Sequence, residues 1–215
     1  MESYQKTFIE LALSQQALRF GEFTLKSGRL SPYFFNMGHL CDGQTLATLG
    51  QCYADAIMKA KLHFDVLFGP AYKGIPLACT SAIGLYQQYQ KTVPYAYNRK
   101  EAKDHGEMGM IVGAPLKGRV LILDDVITAG TAMRESFEMI KTHGATVAAV
   151  VVALDRQEKG QGELSALQEI QQKLDVPAIS IINFSQIMEY VNQQNDFVAY
   201  REPMVAYRER YGVTL

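Results

Sequence analysis

Cysteine is scarce: only Cys41, Cys52 and Cys79 occur in 215 residues. The odd number and the lack of C-x-x-C spacing argue against a disulfide framework and against a zinc site, and they suit a reducing cytoplasm. The three are read as small core residues. Neither sign of charge dominates, since 21 Lys and Arg stand against 22 Asp and Glu for a net −1. Without a basic excess, non-specific nucleic-acid binding is a poor expectation. Long hydrophobic runs are missing too. The longest, residues 147–154, falls far short of a membrane span and reads as a strand buried on both faces. Residues 1–6 lack the basic and apolar stretches of a secretory signal. No repeat and no linker rich in Pro, Gly or Ser divides the chain.

What is present is ordinary globular composition, 48% hydrophobic and 20% charged, which excludes wholesale disorder. One large domain is expected over residues 1–215, with a helix and hairpin lobe at about 1–40 and a core at about 44–200. Phe8, Ile9, Ala12, Leu13, Ala17 and Phe20 recur mostly at intervals of three and four. That predicts an amphipathic helix over 4–20, stopped at Gly21. Alternation around Ser27-Gly28 predicts a hairpin over 23–36, and 44–60 reads as a second helix. Beyond it, apolar runs at 65–68, 93–97, 108–112, 120–123, 146–154 and 179–182 read as strands. Helical stretches at 74–88, 131–143, from 165 to before Pro177, and 185–195 alternate with them. Ser165 and Gln168 fit a capping box. The alternation means α/β with a central, mainly parallel sheet flanked by helices. Such sheets bind ligands beyond the carboxyl ends of their strands, so chemistry is to be sought after Phe68, Tyr97, Leu123 and Leu154.

The sharpest signal lies there. A buried strand, Val120-Leu121-Ile122-Leu123, delivers Asp124 and Asp125 into a loop of Val126, Ile127, Thr128, Ala129 and Gly130. Thr131 and Ala132 then open a helix. Free N–H groups and the dipole at such a helix start suit a phosphate, and Gly130 permits close backbone approach. Thr128 and Thr131 offer hydroxyl donors, while the carboxylates accept from sugar hydroxyls or hold Mg²⁺ directly or through water. An isolated Asp-Asp would more simply end a strand and cap a helix. The threonine and glycine spacing favours a sugar-phosphate receptor. Neither G-x-x-x-x-G-K-[ST] nor G-x-G-x-x-G occurs here.

Residues 120–132 resemble the phosphoribosyl diphosphate motif of the type I phosphoribosyltransferases. Four further stretches are similar, in the same order, to the orotate phosphoribosyltransferases within that group: Phe23-Thr24-Leu25-Lys26-Ser27-Gly28, Ser31-Pro32-Tyr33-Phe34-Phe35-Asn36, Gly69-Pro70-Ala71-Tyr72-Lys73-Gly74-Ile75-Pro76, and Asn98-Arg99-Lys100-Glu101-Ala102-Lys103-Asp104-His105-Gly106-Glu107. The likeness spans nearly the whole chain. Met108 stands where the family commonly has a second glycine.

The resemblance implies a type I phosphoribosyltransferase-like fold with a small N-terminal hood lobe. It implies transfer of phosphoribose to orotate, with Mg²⁺ as cofactor held mainly by substrate and water. The implied catalytic residues are Lys26, Lys103, His105, Asp124 and Asp125. Tyr72 and Lys73 would hold diphosphate, and Phe34 and Phe35 would flank the orotate ring. Arg99, Lys100, Lys103 and His105 would belong to a loop closing over the diphosphate, where cations offset leaving-group charge. Residues 128–132 would hold the 5′-phosphate, with Val126 and Ile127 as substrate-binding residues just before them. Arg156, just past a strand end, would pair with the orotate carboxylate; a plain salt bridge is its other reading. A homodimer with shared active sites is also implied, in the cytoplasm, with neither membrane nor nucleic acid as partner. A purine phosphoribosyltransferase would share the Asp-Asp loop but should lack the 31–36 hairpin and Lys26. A regulator that senses phosphoribosyl diphosphate should carry a DNA-binding module or a basic face. His39, His63 and His143 are read as structural, and 156–162 as a mobile surface loop.

Overall fold

In the computed structural model the described residues are 1–101, 110–127, 131–160 and 162–214, with backbone alone at Thr131 and Ala132. The chain opens with helix α1 (Ser3–Ser14), shorter than its apolar spacing predicts. Gln16 turns the backbone to φ 55°, and Leu18 begins a strand instead. Phe20, apolar at a helical interval, therefore belongs to a sheet, and Ala17 to the bend that leads into it. Strands β1 (Leu18–Thr24) and β2 (Leu30–Phe35) form an antiparallel hairpin.

Helix α2 (Gly43–Lys59) follows, its Asp42 cap accepting the Thr45 N–H at 2.9 Å. Then come β3 (Val66–Gly69), α3 (Gly74–Tyr89), β4 (Tyr95–Asn98) and β5 (Ile111–Gly113). They are followed by β6 (Arg119–Asp124), α4 (Thr131–Thr142) and β7 (Thr146–Asp155). Next are α5 (Ala166–Leu174), β8 (Ala178–Asn183), α6 (Phe184–Gln193) and α7 (Val198–Tyr211). The Ser165–Gln168 capping box forms as its sequence predicts.

The main sheet runs β5-β4-β3-β6-β7-β8. All neighbours are parallel except the edge strand β5, which is antiparallel to β4. Side chains alternate across this sheet. Leu67, Leu121, Leu123, Ala149, Val151 and Ala153 face one core, shared with α1, α2, α3, α6 and the hairpin. Val66, Phe68, Val120, Ile122, Val150 and Val152 face the other, shared with α4 and α5. Residues 150–153 of β7 are fully buried because both faces are covered. Helices α2 and α3 cross at glycines: a Cβ on Gly84 would meet the Gly50 carbonyl oxygen at 2.4 Å, and one on Gly50 would meet that of Thr80 at 2.3 Å.

Three expectations are corrected. Helix α7 was not anticipated; it lays Tyr207 against Tyr33 and Phe184, and Tyr200 against Phe20, so it covers the hairpin. Residues 156–160 are pinned, not loose, since Lys159 N–H donates to the Tyr211 carbonyl at 2.8 Å and Val213 N–H to that of Gln157 at 2.9 Å. Gln161 lies outside the described residues. Of the cysteines only Cys52 is buried, whereas Cys41 is exposed and Cys79 half-buried, because the other two sit at element surfaces.

Candidate active site

From β3 the chain moves to β4 on one side, and from β6 it moves to β7 on the other. Loops leaving β3 and β6 therefore diverge, and the strand order reverses between them. Open α/β sheets bind ligands in the crevice at such a point.

The loop after β3 is drawn tight. A Cβ on Gly69 would lie 2.0 Å from the Gly74 carbonyl oxygen, so only glycine lets the start of α3 sit this close. Ala71 N–H donates to Asn98 Oδ1 at 2.8 Å, tying the loop to the end of β4. The Ala71–Tyr72 peptide is cis. Tyr72 projects outward, 70% exposed, with the Lys100 ammonium 5.3 Å from its ring centroid. Lys73 Nζ crosses the crevice to Asp125 Oδ2 at 2.5 Å.

The acidic pair is held by backbone on every side. Tyr53, fully buried in α2, donates its hydroxyl to the Asp124 carbonyl at 2.8 Å. Asp124 Oδ1 accepts the Asp125 N–H at 2.9 Å. The Asp125 carbonyl accepts N–H groups from Ala153 at 2.9 Å and Leu154 at 3.3 Å. Burial pushes the Asp124 carboxyl up to about 6; the Asp125 carboxylate adds to the rise, while the Asp125 N–H bond and the Lys73 ammonium oppose it. Val126 then packs into one core and Ile127 into the other, clamping the loop at its root. Thr131 begins α4, so a helix N-terminus follows the acidic pair. Thr128, Ala129 and Gly130 lie outside the described residues, as do Lys103, His105 and Met108.

The remaining predicted residues are placed as follows. Arg99 N–H donates to the Met110 carbonyl at 2.7 Å, closing the root of the segment between β4 and β5. Lys100 is exposed just beyond it. Lys26 is exposed in the hairpin turn. Phe34 and Phe35 occupy consecutive strand positions and point to opposite faces. Phe35 meets Phe8 in the core at 6.2 Å, while Phe34 meets Phe23 at 5.5 Å with the Arg19 guanidinium over its ring. Arg156, past the end of β7, lies over the Tyr33 ring at 4.2 Å and bonds Glu158 Oε1 through Nε at 2.7 Å.

Lys73, Asp124 and Asp125 are thus brought together, with Tyr72 and Lys100 beside them. The hairpin and Arg156 form a second cluster. Tyr53, Asn98, Glu158 and Tyr207 are architectural partners that sequence reasoning missed. Asn98 ends a strand on the searched edge and was findable; the others act through contacts distant in sequence. Among the described residues no group of three or more His, Cys, Asp or Glu is arranged to hold a metal. Two adjacent carboxylates, one already paired with Lys73, fit an ion that takes most of its oxygens from elsewhere. No helix among the described residues is long and apolar enough to cross a membrane.

Comparison with known proteins agrees with this arrangement. Residues 44–173 match the phosphoribosyl transferase domain. The chain is similar to orotate phosphoribosyltransferase of Saccharophagus degradans, with 59% identity over 213 residues, covering 99% of this chain and 100% of that protein. It is also similar to the orotate phosphoribosyltransferase of Pseudomonas aeruginosa (strain PAO1), with 54% identity over 213 residues and the same coverage. The crystal structure of orotate phosphoribosyltransferase from Francisella tularensis superposes with a TM-score of 0.87 at 46% identity, over 96% of this chain and 99% of that one. The parallel sheet, its switch-point crevice and the hairpin lobe are those of a type I phosphoribosyltransferase, and the chain belongs to the orotate phosphoribosyltransferases of that family.

Proposed function

We propose that the protein transfers the 5-phosphoribosyl group of phosphoribosyl diphosphate to N1 of orotate. The products are orotidine 5′-monophosphate and diphosphate, in the biosynthesis of pyrimidines. The bond from ribose C1 to the diphosphate oxygen breaks, the N1–C1 bond forms, and the proton displaced from N1 leaves with the diphosphate. One observation carries this reading: the Lys73 ammonium meets the Asp125 carboxylate across the β3–β6 crevice. An anion-binding cation and a hydroxyl-binding carboxylate are thereby set side by side, as a ribose carrying a diphosphate needs.

As the diphosphate leaves, the ribose takes on oxocarbenium-like charge. Asp124 and Asp125 accept its hydroxyls and lie near the developing cation. Lys73 and Tyr72 hold the diphosphate, and Thr128, Ala129, Gly130, Thr131 and Ala132 hold the 5′-phosphate, with Val126 and Ile127 rooting that segment in the two cores. Arg99, Lys100, Lys103 and His105 offset leaving-group charge. Lys26, Phe34 and Arg156 place orotate from the hairpin side; the Phe35 ring, turned to the core against Phe8, cannot flank the same ligand and supports the strand behind them. An arginine has five N–H donors; in Arg156 Nε bonds Glu158 and one terminal nitrogen bonds Ser31 Oγ at 3.2 Å, so donors remain for the orotate carboxylate. Asp124 or Asp125, through water, would help substrate hold Mg²⁺, which would supply charge neutralisation for the diphosphate. Catalysis is chiefly positioning and electrostatics.

The working unit is residues 1–215 as one domain, paired in a cytoplasmic homodimer whose Lys100, Lys103 and His105 serve the neighbouring site. Diphosphate release, measured with Mg²⁺, phosphoribosyl diphosphate and a panel of bases, tests the reading. Orotate alone supports release; release with a purine base at a comparable rate overturns it.

A further inference from the structure

Arg156 is held unusually firmly for a residue at a strand end. Its side chain is 16% exposed, and that of Glu158 is 13% exposed. Glu158 Oε1 accepts from Arg156 Nε at 2.7 Å and from the Tyr207 hydroxyl at 2.9 Å. The same Arg156 terminal nitrogen that lies 2.7 Å from Glu158 Oε1 also reaches Ser31 Oγ at 3.2 Å and the Tyr207 oxygen at 3.5 Å. Beneath it lies the face of Tyr33, 4.2 Å from the guanidinium carbon. Glu158 Oε2 stands 3.6 Å from Arg29, whose other terminal nitrogen bonds the Lys159 carbonyl at 2.9 Å.

This arrangement fixes two things at once. The Tyr33 ring sets the plane of the guanidinium. Glu158 engages one edge of it through two nitrogens, which stops rotation about the bond to Nε. A planar fork is specific only when its plane and edge are both set. The groups that set them come from three elements far apart in sequence: the hairpin (Ser31, Tyr33), the β7 exit (Glu158) and helix α7 (Tyr207).

We infer that Glu158 and Tyr207 are positioning residues that hold Arg156 in the orientation in which it receives the orotate carboxylate. This rests on the reading of Arg156 given above. Glu158 does not touch the substrate; it acts through Arg156. Tyr207 acts chiefly through Glu158, to which it donates at 2.9 Å, and also accepts from Arg156 over a longer 3.5 Å contact. Burial first, and then the Glu158 carboxylate, hold the Tyr207 phenol above its ordinary value, so it remains a donor through the neutral range.

The test is steady-state kinetics in both substrates for Glu158→Gln, Tyr207→Phe, Arg156→Ala and the double variant Glu158→Gln/Arg156→Ala. Glutamine keeps the shape of Glu158 but loses the charge-assisted bond, so KM for orotate should rise about tenfold, well beyond any rise in KM for phosphoribosyl diphosphate. Phenylalanine keeps the ring against Tyr33 and Phe184 and loses only the hydroxyl, for a rise in orotate KM of about threefold. In the Arg156→Ala background the Glu158 change should add nothing to orotate KM, because the group it positions has gone. Parallel rises in both KM values, or an additive effect in the double variant, would mean a structural role and overturn the inference. If Arg156→Ala itself leaves orotate KM unaltered, the role given to Arg156 fails. If Arg156→Ala raises orotate KM and the Glu158 and Tyr207 variants do not, only the positioning role fails. Should Glu158→Gln not fold, the milder Tyr207→Phe carries the same comparison.

Discussion

Gly69→Ala is the smallest change that should disturb the site without removing any group from it. The added Cβ would stand 2.0 Å from the Gly74 carbonyl oxygen, 2.4 Å from its carbon and 3.0 Å from the Ala78 Cβ. The first two are backbone atoms, so no side chain can swing aside. Relief requires β3 and the start of α3 to part by more than 1 Å, about 1.4 Å to reach ordinary van der Waals contact. Lys73 immediately precedes α3, and its reach to Asp125 depends on where that helix begins. Overpacking of this kind costs about 1–3 kcal/mol. For a chain of this size that lowers the melting temperature by about 2–12 °C. A displacement near 1 Å at a positioning element costs about 10²-fold in rate, so kcat/KM for phosphoribosyl diphosphate should fall by about that factor in a folded protein. Gly43→Ala is the control, since a Cβ there meets nothing within 4 Å at the start of α2; it should leave both quantities near those of the parent. If Gly69→Ala keeps kcat/KM within about threefold and melts with the parent, the close approach does not position Lys73.

Asp124→Asn tests the buried carboxyl. Its native value, raised from 3.8 to about 6, gives stability that is full below about pH 4 and lost as pH rises through about 6, about 3 kcal/mol if the whole shift is realised. Asparagine keeps the bond to the Asp125 N–H, so denaturant unfolding should show the variant gaining on the parent between pH 4 and pH 7.5; a pH-independent difference refutes the assignment. Excess EDTA should abolish diphosphate release and added Mg²⁺ restore it, because the two carboxylates alone make too few ligands; full activity in EDTA refutes metal dependence. Subunits of Lys103→Ala and Asp125→Ala, each nearly inactive, should recover about a quarter of parental activity after verified exchange, since half the dimers are mixed and half their sites intact. No recovery means that the 99–107 segment serves its own subunit.

The sequence discloses these elements unequally, and the reasons are physical. Strand β7 is legible because both its faces are covered, which leaves an unbroken apolar run. Asp124 and Asp125 are legible because the threonines and glycine that follow them make a spacing that a plain strand end or helix cap does not need. The end of α1 is not legible: Ala17 and Phe20 continue the helical interval, and only the backbone turn at Gln16 shows that the helix has ended and that Phe20 lies in a strand. Helix α7 is hidden because it buries little of itself, Met204 and Tyr207, and carries Pro203 within it. Phe34 and Phe35 read alike in sequence, yet strand alternation sends one to the core and the other to Arg19. The clamp on Arg156 was beyond reach, because Glu158 gives no periodic signal and its partners are Arg29 and Tyr207.

The cover that α7 provides for the hairpin also bears on the order in which the molecule is made. Phe20 rests on Phe197 and Tyr200, and Tyr33 on Phe184 and Tyr207, pairs separated by almost the whole chain. Synthesis delivers the hairpin early and its cover late. Until residues 184–211 emerge from the ribosome, Phe20 and Tyr33 lack these aromatic partners, although Phe35 already has Phe8, and closing so long a loop is slow compared with local folding. The nascent chain therefore spends most of its synthesis with this apolar surface open to chaperones or to self-association. The sheet, built from strands that follow one another closely, can consolidate first.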